Sequence, residues 1–118
     1  MKLLILVEAA SLRRLIRKIV SGIADEIWEG EGSDKIPPAS QNIKLDFVVI
    51  DIDSPRETGM SALAKLRTMF PATRIVAITS YDEADLQQSV QAAGADACLS
   101  RENLLQLTRL LRWPARKR

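Results

Sequence analysis

Phe47-Val48-Val49-Ile50-Asp51, continuing as Ile52-Asp53-Ser54-Pro55 and reaching Gly59, is the stretch on which the fold turns. Four apolar residues in a row, without alternation, are what a strand buried on both faces requires. The run stops on a carboxylate and passes into a segment with Pro and Gly, the composition of a loop. Outward from it, the pattern repeats. Leu3-Leu4-Ile5-Leu6-Val7 ends at Glu8, and Ile75-Val76-Ala77-Ile78 ends at Thr79-Ser80. Ala95 to Leu99 ends at Ser100-Arg101, and Ile27-Trp28 within Glu26–Glu29 gives a fifth, weaker strand.

Between the strands the period changes to that of helices. Leu12, Leu15, Ile16, Ile19, Val20 and Ile23 recur at three- and four-residue steps behind Ser11, predicting a helix with one apolar stripe. Met60, Leu63, Leu66 and Met69 predict a second, ending before Pro71. Asp82 is placed to cap a third through Ala93, with Leu86 and Val90 inward and Gly94 at its stop. Leu104, Leu107 and Leu111 mark a final helix, closed by Trp113-Pro114. Gly30 to Gln41 is different. Pro37-Pro38 cannot sit inside a helix, so a loop is expected there, with at most one helical turn after Pro38.

Strands that alternate with helices and are apolar on both faces form a parallel sheet covered on each side. Five strands in 118 residues fit a doubly wound α/β fold of order 2-1-3-4-5, flavodoxin-like. Residues 1–118 read as one domain, with a basic C-terminal tail over 113–118.

Composition excludes several functions. There is no histidine, hence no Ser-His triad, no His-ligated zinc and no phosphohistidine carrier. The lone Cys98 cannot form an internal disulfide, and a cytoplasmic location follows. The net charge of +2 is too small for a nucleic-acid-wrapping stripe, and direct nucleic-acid binding is not expected. The apolar run Leu3–Val7 is too short for a membrane span. Neither GxxxxGK[ST] nor GxGxxG occurs, and Glu8-Ala9-Ala10-Ser11 offers no phosphate loop for a flavin.

In an open parallel sheet, ligands bind beyond the carboxyl ends of the strands. Those ends carry Glu8, Asp51, Thr79, Ser80 and Arg101. Polar residues often simply end strands. Two carboxylates, hydroxyls and a cation at one edge are also an outfit for phosphoryl chemistry. The carboxylates suit a hard cation, while the hydroxyls and guanidinium suit phosphate oxygens.

Asp51-Ile52-Asp53-Ser54-Pro55 with Gly59 resembles the phosphoacceptor loop of response-regulator receiver domains. Phe70 to Ser80 resembles that family's fourth-strand region, and Ala92-Ala93-Gly94-Ala95-Asp96-Ala97 the turn before its fifth strand. The resemblance implies a signalling domain of two-component systems, with no turnover beyond self-phosphotransfer. It implies Asp51 as phosphoacceptor, Thr79 as switch hydroxyl and Arg101 in the place of the family lysine. A Mg²⁺ ion would be held weakly by Glu8, Asp51 and the main-chain oxygen of Asp53. The implied partner is a sensor histidine kinase or phosphotransfer protein. The alternative is a degenerate receiver acting as a phosphorylation-independent interaction or dimerisation module.

The chain departs from the family pattern in four places. The first strand of receivers ends on two adjacent acids, whereas here the pair is Val7-Glu8 or, with a one-residue gap, Glu8-Ala9. Arginine at 101 keeps the lysine's charge but is planar and forked. Cys98 replaces the aromatic switch residue and is expected to be a buried core residue. The Pro-Pro loop occupies the place of the second helix. Arg13, Arg14, Arg17 and Lys18 read as a solvated face of the first helix, which the resemblance places near the kinase-docking surface.

Overall fold

In a computed structural model, residues 1–53, 58–81 and 83–112 are described. The elements run β1 (Lys2–Leu6), α1 (Ala10–Val20), β2 (Glu26–Gly30), α2 (Pro38–Gln41), β3 (Phe47–Asp51), α3 (Gly59–Met69), β4 (Arg74–Thr79), α4 (Ala84–Ala92) and β5 (Ala97–Ser100). A 3₁₀ segment over Arg101–Gln106 and α5 (Leu107–Leu110) follow. The five strands form one sheet of order β2-β1-β3-β4-β5, and every neighbouring pair is parallel. This is the expected flavodoxin-like arrangement. Its reversal point lies between β1 and β3, the place at whose carboxyl edge ligands bind in folds of this kind.

Alternation along the strands sorts the core into two layers, as the two-residue side-chain period demands. Leu3, Ile5, Val7, Val49, Val76 and Ile78 face α1 and α5 with Ile16, Val20, Leu107 and Leu111. Leu4, Leu6, Val48, Ile50, Ile75 and Ala77 face the other way onto Leu63, Leu66 and Val90. All five residues of β3 are buried. Each fully buried Leu or Ile contributes about 1.5–3 kcal/mol over an exposed one, so this double layer dominates the fold's stability.

The helices differ in detail from the sequence expectation. Leu15 is 48% exposed and lies outside the buried stripe of α1, which rests on Ile16 and Val20. The helix starts at Ala10, and Ala9 in its capping position supplies no side-chain hydrogen bond, so Ser11 is not the cap. The final helix is a 3₁₀ segment, kinked at Asn103, followed by four α-helical residues. Leu104, Leu107 and Leu111 are buried as expected, because 3₁₀ geometry also returns a residue to the same face after three positions. The Pro-Pro segment carries one short helix with Pro38 in its first turn.

Two glycines are required. A Cβ on Gly59 would stand 2.6 Å from the Ile52 Cβ and 2.8 Å from its carbonyl oxygen, so only glycine lets α3 start this close to the loop after β3. Gly94 adopts φ +129°, which ends α4 and turns the chain toward β5. The Pro55 expectation, the Asp82 cap, the Trp113-Pro114 closure and the tail over 113–118 lie outside the described residues.

Candidate functional site

Parallel register brings the strand ends to one edge. Asp51 pairs with Ile78 across β3 and β4, and Thr79 pairs with Ser100 across β4 and β5. Arg101 therefore begins the 3₁₀ segment directly beyond the end of β5, within reach of Asp51 and Asp53. Leu6 pairs with Ile50, so Glu8 follows β1 on the same edge.

Asp51 is 7% exposed, and each of its carboxylate oxygens has a partner. Oδ1 accepts the Asp53 amide at 2.9 Å, and Oδ2 accepts the Arg101 guanidinium at 2.8 Å. Burial pushes the Asp51 pKa above the usual carboxylate value. The Asp53 amide and the Arg101 charge oppose that rise, and the Asp53 carboxylate adds to it. The group is thus a desolvated carboxylate, held by donors on both oxygens and lying beside a cation.

The Asp53 side chain has a denser set of donors. Its Oδ1 accepts the hydroxyl of Thr79, a fully buried residue, at 2.9 Å. Its Oδ2 accepts the Ser80 amide at 2.6 Å and lies 3.9 Å from the Arg101 guanidinium. The Tyr81 amide donates in turn to the Thr79 hydroxyl at 3.2 Å, which fixes the direction of that hydroxyl's proton. Asp51, Asp53, Thr79 and Arg101 thus form one hydrogen-bonded cluster.

Sequence reasoning placed the resemblance-implied role of Asp53 on its main-chain oxygen and missed what its side chain and the Ser80 amide do. The signal lay in the spacing. An acid two residues past a strand end can cross to the neighbouring strand's end, where Thr79-Ser80 offers a hydroxyl and an amide.

Glu8 lies at the same edge with intermediate exposure. Val7 is fully buried in the α1-side core layer, so its side chain contributes nothing to the cleft. The Arg13 guanidinium donates to the carbonyl oxygens of Val7 at 2.7 Å and Glu8 at 3.3 Å, and it pairs with Glu29 at 3.5 Å. Arg13 therefore braces the loop after β1 and does not belong to a merely solvated face. Cys98 is half-buried against the second core layer, not fully buried as expected. Among the described residues, no three acidic or thiol side chains lie close enough together to hold a metal ion. A cation would have two carboxylates, Glu8 and Asp51, and the Asp53 carbonyl. In kind this fits a hard cation that keeps several waters.

The model of the response regulator receiver domain matches residues 5–111. A protein-glutamate methylesterase/protein-glutamine glutaminase of Bdellovibrio bacteriovorus is 31% identical over 98 residues, covering 81% of this chain and 27% of that protein. The chain spans 22% to 30% of the length of the first curated relatives it matches. Among solved structures, the chemotaxis response regulator CheY4 of Vibrio cholerae superposes with a TM-score of 0.79 at 20% identity, covering 93% of this chain and 97% of that one. A response regulator from Burkholderia pseudomallei, solved with a phosphorylated aspartic acid, a calcium ion and citrate, gives 0.80 at 16% identity, covering 95% and 66%. At these identities the two structures speak for the fold. No helix among the described residues is long and apolar enough to cross a membrane.

Proposed function

We propose, for a chain that belongs to the response regulator receiver domain family, that Asp51 accepts a phosphoryl group from a histidine kinase or phosphotransfer protein of a two-component system. The observation that carries this reading is the buried Asp51 carboxylate, bonded to Arg101 and ringed by Thr79 and Asp53 at the carboxyl edge. An Asp51 oxygen attacks phosphorus, and the P–N bond to the donor's imidazole breaks. The bonding pair stays with the imidazole nitrogen. Arg101 and the Thr79 hydroxyl are the groups that would hold the transferred oxygens, and the catalytic gain is positioning plus charge stabilisation.

Divalent metal, when bound, supplies counter-charge to the phosphoryl oxygens. Glu8, Asp51 and the Asp53 carbonyl are the residues that would hold Mg²⁺. With one acid after β1 the binding is weak and the transfer slow.

A second reading, a receiver that works as an interaction or dimerisation module without phosphorylation, is favoured by one observation. Val7 is packed into the core where receivers carry an acid in the ungapped alignment. Intact mass after incubation with Mg²⁺ and acetyl phosphate separates the two. The phosphorelay reading expects one added phosphoryl group on the wild type and none on Asp51→Asn. A wild type that never gains the group, even with an acid added by Ala9→Asp, leaves the interaction-module reading in its place.

A further inference from the structure

The donors around Asp53 are those that oxyanions generally take: a buried hydroxyl, a main-chain amide and a guanidinium. Thr79 Oγ1 stands 2.9 Å from Asp53 Oδ1, Ser80 N 2.6 Å from Oδ2, and Arg101 3.9 Å from Oδ2. Asp53 and Asp51 both reach the Arg101 guanidinium, Asp51 at 2.8 Å, so the two acids share one cation. The Asp53 side chain thus presents two anionic oxygens to donors directly beside the carboxylate on which a phosphoryl group would sit.

We propose that the Asp53 carboxylate is an internal stand-in for a tetrahedral oxyanion, occupying the Thr79 and Ser80 donors beside Arg101 and competing with any phosphate-like group that enters the site. The identification of the entering group as phosphoryl rests on the phosphorelay reading; the competition itself rests on these contacts. Two physical effects add. The donors must leave Asp53 before they can serve an incoming anion, and the Asp53 charge repels that anion at close range. Asp53 is in this sense a positioning residue, acting through Thr79 and Ser80.

The test uses the whole chain, free of divalent metal, with inorganic phosphate and sulfate as probes. Binding is followed by calorimetry and by the Ser80 amide resonance. In the wild type that amide is expected far downfield, as a short bond to a carboxylate dictates, and it should not move when phosphate is added. In Asp53→Ala it should move upfield and return on titration with phosphate, with affinity raised about tenfold or more. Asp53→Asn, which keeps the shape but not the charge, should fall between and serves if the Ala variant does not fold. Adding Thr79→Val to Asp53→Ala should remove most of the gain.

Equal phosphate affinity in the wild type and both Asp53 variants overturns the proposal. So does a gain that survives Thr79→Val, because the charge alone would then be responsible. Phosphorylation of wild-type Asp51 is scored separately. A phosphorylated wild type with no gain in the variants sinks the competition and leaves the phosphorelay. A gain in the variants with no phosphorylation does the reverse.

Discussion

Asp53 and Asp96 lie at opposite edges of the same sheet and bind donors of the same kinds. Asp96, at the amino edge before β5, accepts the Arg67 guanidinium at 2.9 Å and the Ile75 amide at 2.8 Å, with Arg74 at 3.7 Å. Asp53, at the carboxyl edge, accepts a hydroxyl and the Ser80 amide, with Arg101 at 3.9 Å. The surroundings of the two cations separate the acids. Arg67 also donates to the carbonyls of Phe70, Thr73 and Gly94, tying α3 to the turns before β4 and β5. Arg101 is 39% exposed, and its guanidinium meets the carboxylates of Asp51 and Asp53. A carboxylate embedded among carbonyl-bound cations holds loops together. One whose neighbours include the exposed Ser80 and Arg101 holds a place that another anion can take.

The sharpest way to break this comparison is to remove each acid. Asp96→Ala leaves the Arg67 charge and the Ile75 amide without their acceptor in a nearly buried place, and should cost about 3 kcal/mol in urea unfolding. Asp53→Ala should cost less, about 1–2 kcal/mol, because the exposed Ser80 amide and Arg101 regain water and the buried Thr79 hydroxyl alone is left without its acceptor. Equal losses would make Asp53 a structural acceptor like Asp96.

A smaller effect is expected for Asp51, and its sign depends on pH. Its folded pKa is raised above the ordinary 3.8, so the folded state holds this proton more tightly than the unfolded chain does. Its stabilising contribution is full below 3.8 and is lost as pH rises through the folded value. Melting of wild type and Asp51→Asn from pH 3 to 7 should show the variant gaining on the wild type as pH rises, by on the order of a few degrees. A gap that stays constant, or narrows, with rising pH would contradict the burial of that charge.

The smallest effect sits after β1. Ala9→Asp supplies the side-chain cap that α1 lacks and should stabilise by about 0.5–1 kcal/mol while adding a carboxylate beside Glu8. Calorimetry should then show tighter Mg²⁺ binding than in the wild type. Val7→Asp, the other acid-restoring change, would place a charge in the apolar layer and should be strongly destabilising.

The sheet was legible because its signal is local. Runs such as Val48-Val49-Ile50 and Ile75-Val76-Ala77-Ile78 leave few alternatives to a doubly covered strand, and the polar residue ending each run named the edge. The short helix after Pro38 was legible from proline chemistry. What failed to show was geometry that arises between elements. The exposure of Leu15 depends on which part of α1 the sheet covers, not on helical period. The 3₁₀ path after Arg101 shares its three-residue step with an α-helix, so Leu104 and Leu107 look alike in both. The Asp53 contacts join residues 26 positions apart and exist only once β3 and β4 are in register.

The strand order bears on how the chain is assembled over time. β1 is the first strand in sequence yet sits inside the sheet, between residues 26–30 and 47–50. No strand in the sheet can be completed by a neighbour through a tight turn, since parallel partners need a crossover. Each pairing must therefore close a loop of many residues before it gains anything, which slows folding relative to a helical domain of the same size. While β3 is still unpaired, Leu3 to Leu6 offers a bare apolar edge, the kind of surface on which incomplete chains adhere to one another.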